Sequence, residues 1–289
     1  MLMAVNYLGQ VGAGVTVPQL FRANDRNIYV VKLQNNILGP KVLVSELLAA
    51  KLGELIGLCF PPAGIIEISA EMIAGSEHLQ ELGVDPGRHF ASRFLNRTQY
   101  VSRGNLKKAV NAAEMAGVVL FDHMFHNSDR TTNGKNLLLR QEDYGYKLYA
   151  IDNSHLFRSG RWTQQSLQKL VSVIKPYYRY AYGRLLKDHL SPDDFLPYME
   201  KVAQISDARI KEIVGEIPGE WLSEEAEREE LVRFVSRRRD MAEAIWQELC
   251  NYIPEVRGGR QWWGGKKAAE SGEKKLKWLG RKSSSKGGG

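Results

Sequence analysis

The sequence predicts a two-lobed α+β molecule with a cleft between the lobes, and three observations carry that prediction. Short apolar, β-branched runs dominate the first part of the chain, helical periodicity dominates the rest, and between them stands FHNSDRTTNGKNLLLR, Phe125–Arg140. That last stretch crowds short polar side chains between a helix-forming run and an apolar strand.

The elements follow in order. Residues 28–33, IYVVKL, are short, β-branched and aromatic, and read as a buried strand. Leu43, Leu47, Leu48, Leu52, Leu55 and Ile56 then recur at helical spacing, so an amphipathic helix follows, ended by Gly57. PPAGIIEIS reads as a turn and a strand, and His89–Leu95 as another strand. Asn105 is placed as the cap of one helix running to about Phe125. Leu137–Arg140 and Tyr146–Ile151 form a hairpin around the turn-like QEDYG. Beyond residue 163 the chain reads as helical, ending in one long helix over residues 224–253. The predicted units are 1–96, 97–255 and a Gly-, Ser- and Lys-rich tail, 256–289, expected to lack fixed structure.

Bulk properties exclude several classes. With 289 residues, 43% hydrophobic and 25% charged, the composition is that of a globular protein. No apolar run reaches the ~20 residues of a membrane-spanning helix. The first residues lack the basic and apolar regions of a signal peptide. Two cysteines, Cys59 and Cys250, make neither a disulfide framework nor a zinc site, and a reducing cytoplasm is expected. The net charge of +7 misleads: residues 257–289 hold ten Lys/Arg and two Glu, and the remainder holds 30 Lys/Arg against 31 Asp/Glu. Nucleic-acid or anionic-surface binding would rest on the tail alone.

The polar stretch gains meaning from the hairpin after it. Antiparallel pairing around a turn near Tyr144 sets Asn136 opposite Asp152, with Asp129 on the adjoining loop. An amide oxygen and two carboxylates are hard ligands of the kind Mg²⁺ takes, with phosphate oxygens and waters completing the shell. In the first region, Lys32 lies in an apolar strand and is costly to bury unpaired. Glu46 lies on the next helix, beside Ala49, Ala50 and Gly53, small residues that let another group approach. Each has a plainer explanation alone: a snorkelling Lys, a solvated helix Glu, an Asx-rich turn, a strand-end Asp. A single arrangement accounts for all four in order.

Together these residues resemble the protein-kinase signature set. The local wording, VVKLQNN, SELLAAKL, HNSDRTTNGKNLLL and YAIDNSHLF, resembles that of the HipA-like atypical kinases over roughly residues 1–255. The resemblance implies a protein-kinase-like fold, ATP and Mg²⁺ as cofactors, and transfer of the γ-phosphate to a Ser or Thr of a protein substrate. Lys32, held by Glu46, would meet the α/β-phosphates, Asp129 would act as base, and Asn136 and Asp152 would bind metal. Arg130 and His126 flank the base, to position it or to meet the phosphoryl group. Gly12 and Gly14, with Gly9, precede the Lys strand and suit close phosphate approach, and Ser92–Phe94 is the expected adenine-facing connection. Asn133 is a rival to Asn136, because Asp129 and Asn136 stand seven apart. An antitoxin-type partner is a further expectation, from relatives that are toxins. Two other readings stay open: a small-molecule or lipid kinase with the same core, and a nucleotide-binding pseudokinase. Tyr177, Tyr178, Tyr180 and Tyr182 read as packing residues rather than a base-stacking strip.

Overall fold

The computed structural model describes residues 1–12, 15–176, 178 and 181–257, with Ala181 and Tyr182 described by backbone alone. Its N-terminal part is strand-rich. Strands β1 (Leu2–Gln10), β2 (Gln19–Ala23) and β3 (Ile28–Lys32) are followed by helix α1 (Lys41–Ile56), β4 (Ala63–Ile68), α2 (Ala70–Ala74), α3 (Glu77–Glu81) and β5 (Gly87–Arg93). The strands close into a barrel in the order β1-β2-β3-β5-β4, antiparallel except where Leu2 and Met3 meet Ile66 and Glu67. Alternation puts Phe21, Ala23, Tyr29, Val31, Ile66, Ile68 and Ala91 inside, against Leu79 and Val84. The hairpin β1–β2 carries few strand formers at its start, and the sequence pattern did not reveal it.

Helix α1 is buried almost all round, from Val42 to Ile56, rather than amphipathic. It packs on β4 and β5 on one side and on the helical part on the other. Its small face serves this packing: a Cβ on Gly53 would stand 2.6 Å from the Phe60 ring. Gly57 ends the helix at φ +77°, with its N–H on Gly53 O. Ion pairs Lys41–Glu227 and Lys51–Glu216 tie α1 to the helical part, and Arg88–Glu220 ties β5 to it.

Next come β6 (Thr98–Tyr100), α4 (Arg103–Leu106), α5 (Met115–Met124), α6 (Ser128–Thr132), β7 (Leu137–Glu142) and β8 (Gly145–Ala150). The last helices are α7 (Gln164–Leu170), α8 (Ala181–Leu186), α9 (Leu196–Ala203), α10 (Asp207–Gly215), α11 (Glu225–Asp240) and α12 (Ala242–Cys250). Strands β6, β7 and β8 make a small sheet on the helical core. No helix among the described residues is long and apolar enough to cross a membrane.

Three further expectations need correction. The helix placed from Asn105 to Phe125 is broken. Ser102 is its cap, in a capping box with Asn105, and α4 stops at Leu106. Asn111 then pairs its amide with both backbone groups of Leu148, and Val110 N–H donates to Tyr146 O, which draws the chain out of helix before α5. The hairpin register is one residue off. Glu142 pairs with Gly145, so the turn centres between Asp143 and Tyr144, and Asn136 faces Ile151. The long C-terminal helix is two, separated at Met241. Residues 258–289 of the tail, Gly14, Tyr177 and Tyr180 lie outside the described residues. Tyr178 is buried, as expected of a packing residue.

Candidate functional site

Lys32 ends β3 and is buried; its Nζ donates to Glu46 Oε1 on α1 and, at 2.8 Å, to Asp152 Oδ1. Asp152 stands two residues past β8 with φ +62°, a left-handed turn that brings its carboxylate to Lys32 despite the register offset. Glu46 Oε1 also accepts the Asn153 N–H at 3.1 Å. Burial works against the Lys32 charge, and Asp152 and Glu46 overcome it, raising the Lys32 pKa. Burial pushes Glu46 up, with Lys32 pulling against it. Burial also opposes the Asp152 charge, but the Lys32 and Ser154 donors hold its pKa well below the usual carboxylate range.

The catalytic-loop candidates come from the far end of α5. His126 takes φ +53°, and α6 begins two residues later with Asp129 in its first turn. Asn136 Nδ2 donates to Asp129 Oδ2 at 2.6 Å. Asn133 caps the turn Gly134–Asn136 by accepting the Lys135 N–H, and its amide donates to Asn136 Oδ1 at 3.3 Å. Asn136 therefore lies between Asp129 and the exit of β8, where Ile151 N–H donates to its carbonyl.

Arg130 is turned into the protein interior. It is 1% exposed, and its fork donates to Asp122 Oδ1, to the carbonyls of Ile151 and Asp152, and to Asn153 Oδ1. It fixes the Asp129 loop to the Asp152 turn, so it is a positioning residue. His126 is buried too, against Leu170 O at 3.2 Å, and has a structural role. Gly12 lies in the β1–β2 connection at φ +71°, closed by Val11 N–H to Pro18 O. Ser92 sits inside β5 opposite Val30 and Ala63, and the Phe94 N–H donates to Ile28 O, just before the chain crosses to β6.

Sequence reasoning missed Ser154, Asp122 and Arg238. Arg238 is fully buried and donates to the carbonyls of His123, Met124, Val171 and Val173. It thereby caps the C-terminus of α5 from α11. Its signal was legible: Leu231, Phe234, Val235 and Arg238 share one helical stripe, and a charge on an apolar stripe needs buried partners.

The buried histidines give a pH prediction. Burial lowers His123 and His89 to about 4 and His126 to about 3. The unfolded chain takes up protons below about 6.5, where the folded chain does not, so stability falls as pH drops from there. At pH 5 each of the three is expected to cost about 2 kcal/mol, and the melting temperature should drop steeply between pH 7 and pH 5. A flat melting temperature over that range would contradict their buried neutral state.

A strand Lys bonded to a helix Glu, with a carboxylate loop and a post-hairpin Asp on the helical side, on a barrel-plus-helices fold, defines a protein-kinase-like molecule. The chain belongs to the HipA-like kinase family, which it matches over residues 5–247. Among solved structures it is similar to the proinflammatory kinase CtkA of Helicobacter pylori, with TM-score 0.53 and 14% identity, over 84% of this chain and 96% of that one. At that identity the likeness is one of fold. It is also similar to hydra Fam20 (TM-score 0.49, 11% identity, 86% of this chain and 87% of that one). The Golgi casein kinase solved with Mn/ADP has TM-score 0.47 and 10% identity, over 86% of this chain and 74% of that one. No curated protein matches the sequence.

Proposed function

We propose that the protein transfers the γ-phosphoryl group of ATP, with Mg²⁺, to a Ser or Thr hydroxyl of a protein. Residues 1–96 and 97–255 are the two lobes, and the nucleotide lies between them. The observation that carries this reading is Lys32, which joins Glu46 and Asp152 across the two parts of the molecule, beside the Asp129–Asn136 pair.

The residues fit a nucleotide-bound divalent cation. Asp152 keeps 37% of its side chain exposed, and its Oδ2 takes no hydrogen bond among the described residues. Asn136 supplies a second oxygen. Among the described residues no three His, Cys, Asp or Glu converge on one point, so these residues form no all-protein cage. Mg²⁺ is commonly held by one or two side chains with phosphates and waters completing the shell. When bound, the ion would neutralise charge on the β- and γ-phosphates.

The chain's own residues do the rest. Lys32, kept protonated by its two carboxylates, holds the α/β-phosphates, and Glu46 keeps it from swinging away. Gly12 lets backbone N–H groups approach the phosphates. The connection at Ser92–Phe94 borders the adenine. Asp129 accepts the proton of the acceptor hydroxyl, with Asn136 orienting it. Arg130 and Asn153 hold the loops of Asp129 and Asp152 in register, so that acceptor and phosphoryl group meet in line.

γ-Labelled ATP with Mg²⁺, offered to the protein alone and with cell extract, tests the reading. Label on Ser or Thr of a protein band, absent in Lys32→Met, is the expected result. Transfer to a small molecule or lipid instead would overturn the protein-acceptor part. A wild-type rate in Lys32→Met would overturn the site itself.

A further inference from the structure

We infer that Ser154 is a positioning residue for metal binding: it fixes the Asp152 carboxylate so that one oxygen alone is presented to a divalent cation. The inference rests on the phosphotransferase reading of the site.

Three donors converge on Asp152 Oδ1. They are Lys32 Nζ at 2.8 Å, the Ser154 N–H at 3.2 Å and the Ser154 hydroxyl. A carboxylate oxygen offers about two lone-pair directions, so Oδ1 is saturated. Oδ2 has no such donor and lies on the half-exposed side chain. Ser154 itself is 2% exposed, so water does not compete for its hydroxyl. The hydroxyl oxygen also meets His155 Nδ1 at 3.2 Å, which orients its proton toward Asp152 when the ring nitrogen donates. Ordinary protein kinases carry Gly at the corresponding place of their Asp-Phe-Gly motif. Gly supplies the N–H without the hydroxyl, so this chain has an added constraint on the carboxylate.

The constraint sets metal preference. Chelation by both oxygens of Asp152 would require Oδ1 to give up its donors. Ca²⁺ favours bidentate carboxylates and seven or eight ligands, whereas Mg²⁺ and Mn²⁺ take single oxygens in an octahedron. Ser154 therefore favours the smaller ions.

The test measures Mn²⁺ binding by electron paramagnetic resonance, with a non-hydrolysable ATP analogue, in wild type, Ser154→Ala, Ser154→Thr and Asp152→Asn. Outer-shell changes at metal sites typically cost about 10–100-fold in affinity. Ser154→Ala is expected to weaken Mn²⁺ binding about tenfold, to narrow the preference for Mn²⁺ over Ca²⁺, and to raise the apparent KM for Mg²⁺ more than it lowers kcat. Ser154→Thr, which keeps the hydroxyl, should restore most of the affinity. If Ser154→Ala does not fold, Ser154→Gly makes the same comparison. Mn²⁺ affinity within twofold of wild type in the hydroxyl-free variant, while Asp152→Asn loses binding, overturns the role of Ser154 alone. Unchanged binding in Asp152→Asn as well overturns both this role and the site reading.

Discussion

Asp129→Asn is expected to lower phosphotransfer by about 10²–10⁴-fold while leaving nucleotide binding near the wild-type level. The substitution preserves shape, and removes the carboxylate proposed as proton acceptor. Asn136 Nδ2 donates to Asp129 Oδ2, so the wild-type carboxylate is held by one oxygen with the other available for the reaction. Asp152→Asn should act differently. It removes a charge next to Lys32 and a proposed metal-binding oxygen together, so both kcat and the Mg²⁺ requirement should worsen. Steady-state kinetics over a Mg²⁺ series separates the two. An Asp129→Asn enzyme that turns over at the wild-type rate would remove the base role from this residue.

The largest expected loss of stability comes from Arg130→Met. Its guanidinium lies 2.6 Å from Asp122 Oδ1, with both side chains at 0% exposure. Removing one member of a buried ion pair typically costs about 3–5 kcal/mol, because the other charge stays in the low-dielectric interior. Here the carbonyls of Ile151 and Asp152 lose donors as well. Arg130→Lys should rescue little, since one ammonium cannot span Asp122, two carbonyls and Asn153 as the planar fork does. Urea denaturation of Arg130→Met, Asp122→Leu and the double variant would measure the coupling. A loss below about 1 kcal/mol for Arg130→Met would mean that the pair contributes no more than a surface bridge.

The parts of this fold legible in sequence are those where local pattern and tertiary environment agree. The existence of the strand around Lys32, of α1 with its Gly57 stop and of the β7–β8 hairpin follows from local pattern, while the all-round burial of α1 and the exact hairpin register do not. The barrel's first hairpin did not, because β1 is exposed along much of one face and bears two irregularities against β2. Helix α5 was misplaced at its start because Asn111 acts as a strand partner for Leu148, a contact between residues 37 positions apart. At the site, the structure joins Lys32, Glu46 and Asp152 in one cluster and Asp129 and Asn136 in one pair; Lys32 stood out in an apolar strand, and Asp129 and Asn136 in a crowd of short polar side chains. For Arg130 the sequence left two roles open, and its burial could not be read there: it depends on Asp122, in the last turn of α5, and on a loop beyond the hairpin. Ser154 could not be singled out, because a serine after a strand-end Asp is ordinary until both of its donors are seen on one oxygen.

Arg238 links the catalytic loop to the order in which the chain is made. The residue that caps α5 at Met124 is synthesised 114 positions later. At ~5–20 residues per second, that is a delay of roughly 6–23 s. Throughout it the carbonyls at the end of α5 lack their guanidinium, and the turn through His126 to Asp129 has no anchor from α11. A nascent chain therefore carries every proposed catalytic side chain, and the Arg130 contacts that join their loops, well before the anchor from α11 is available.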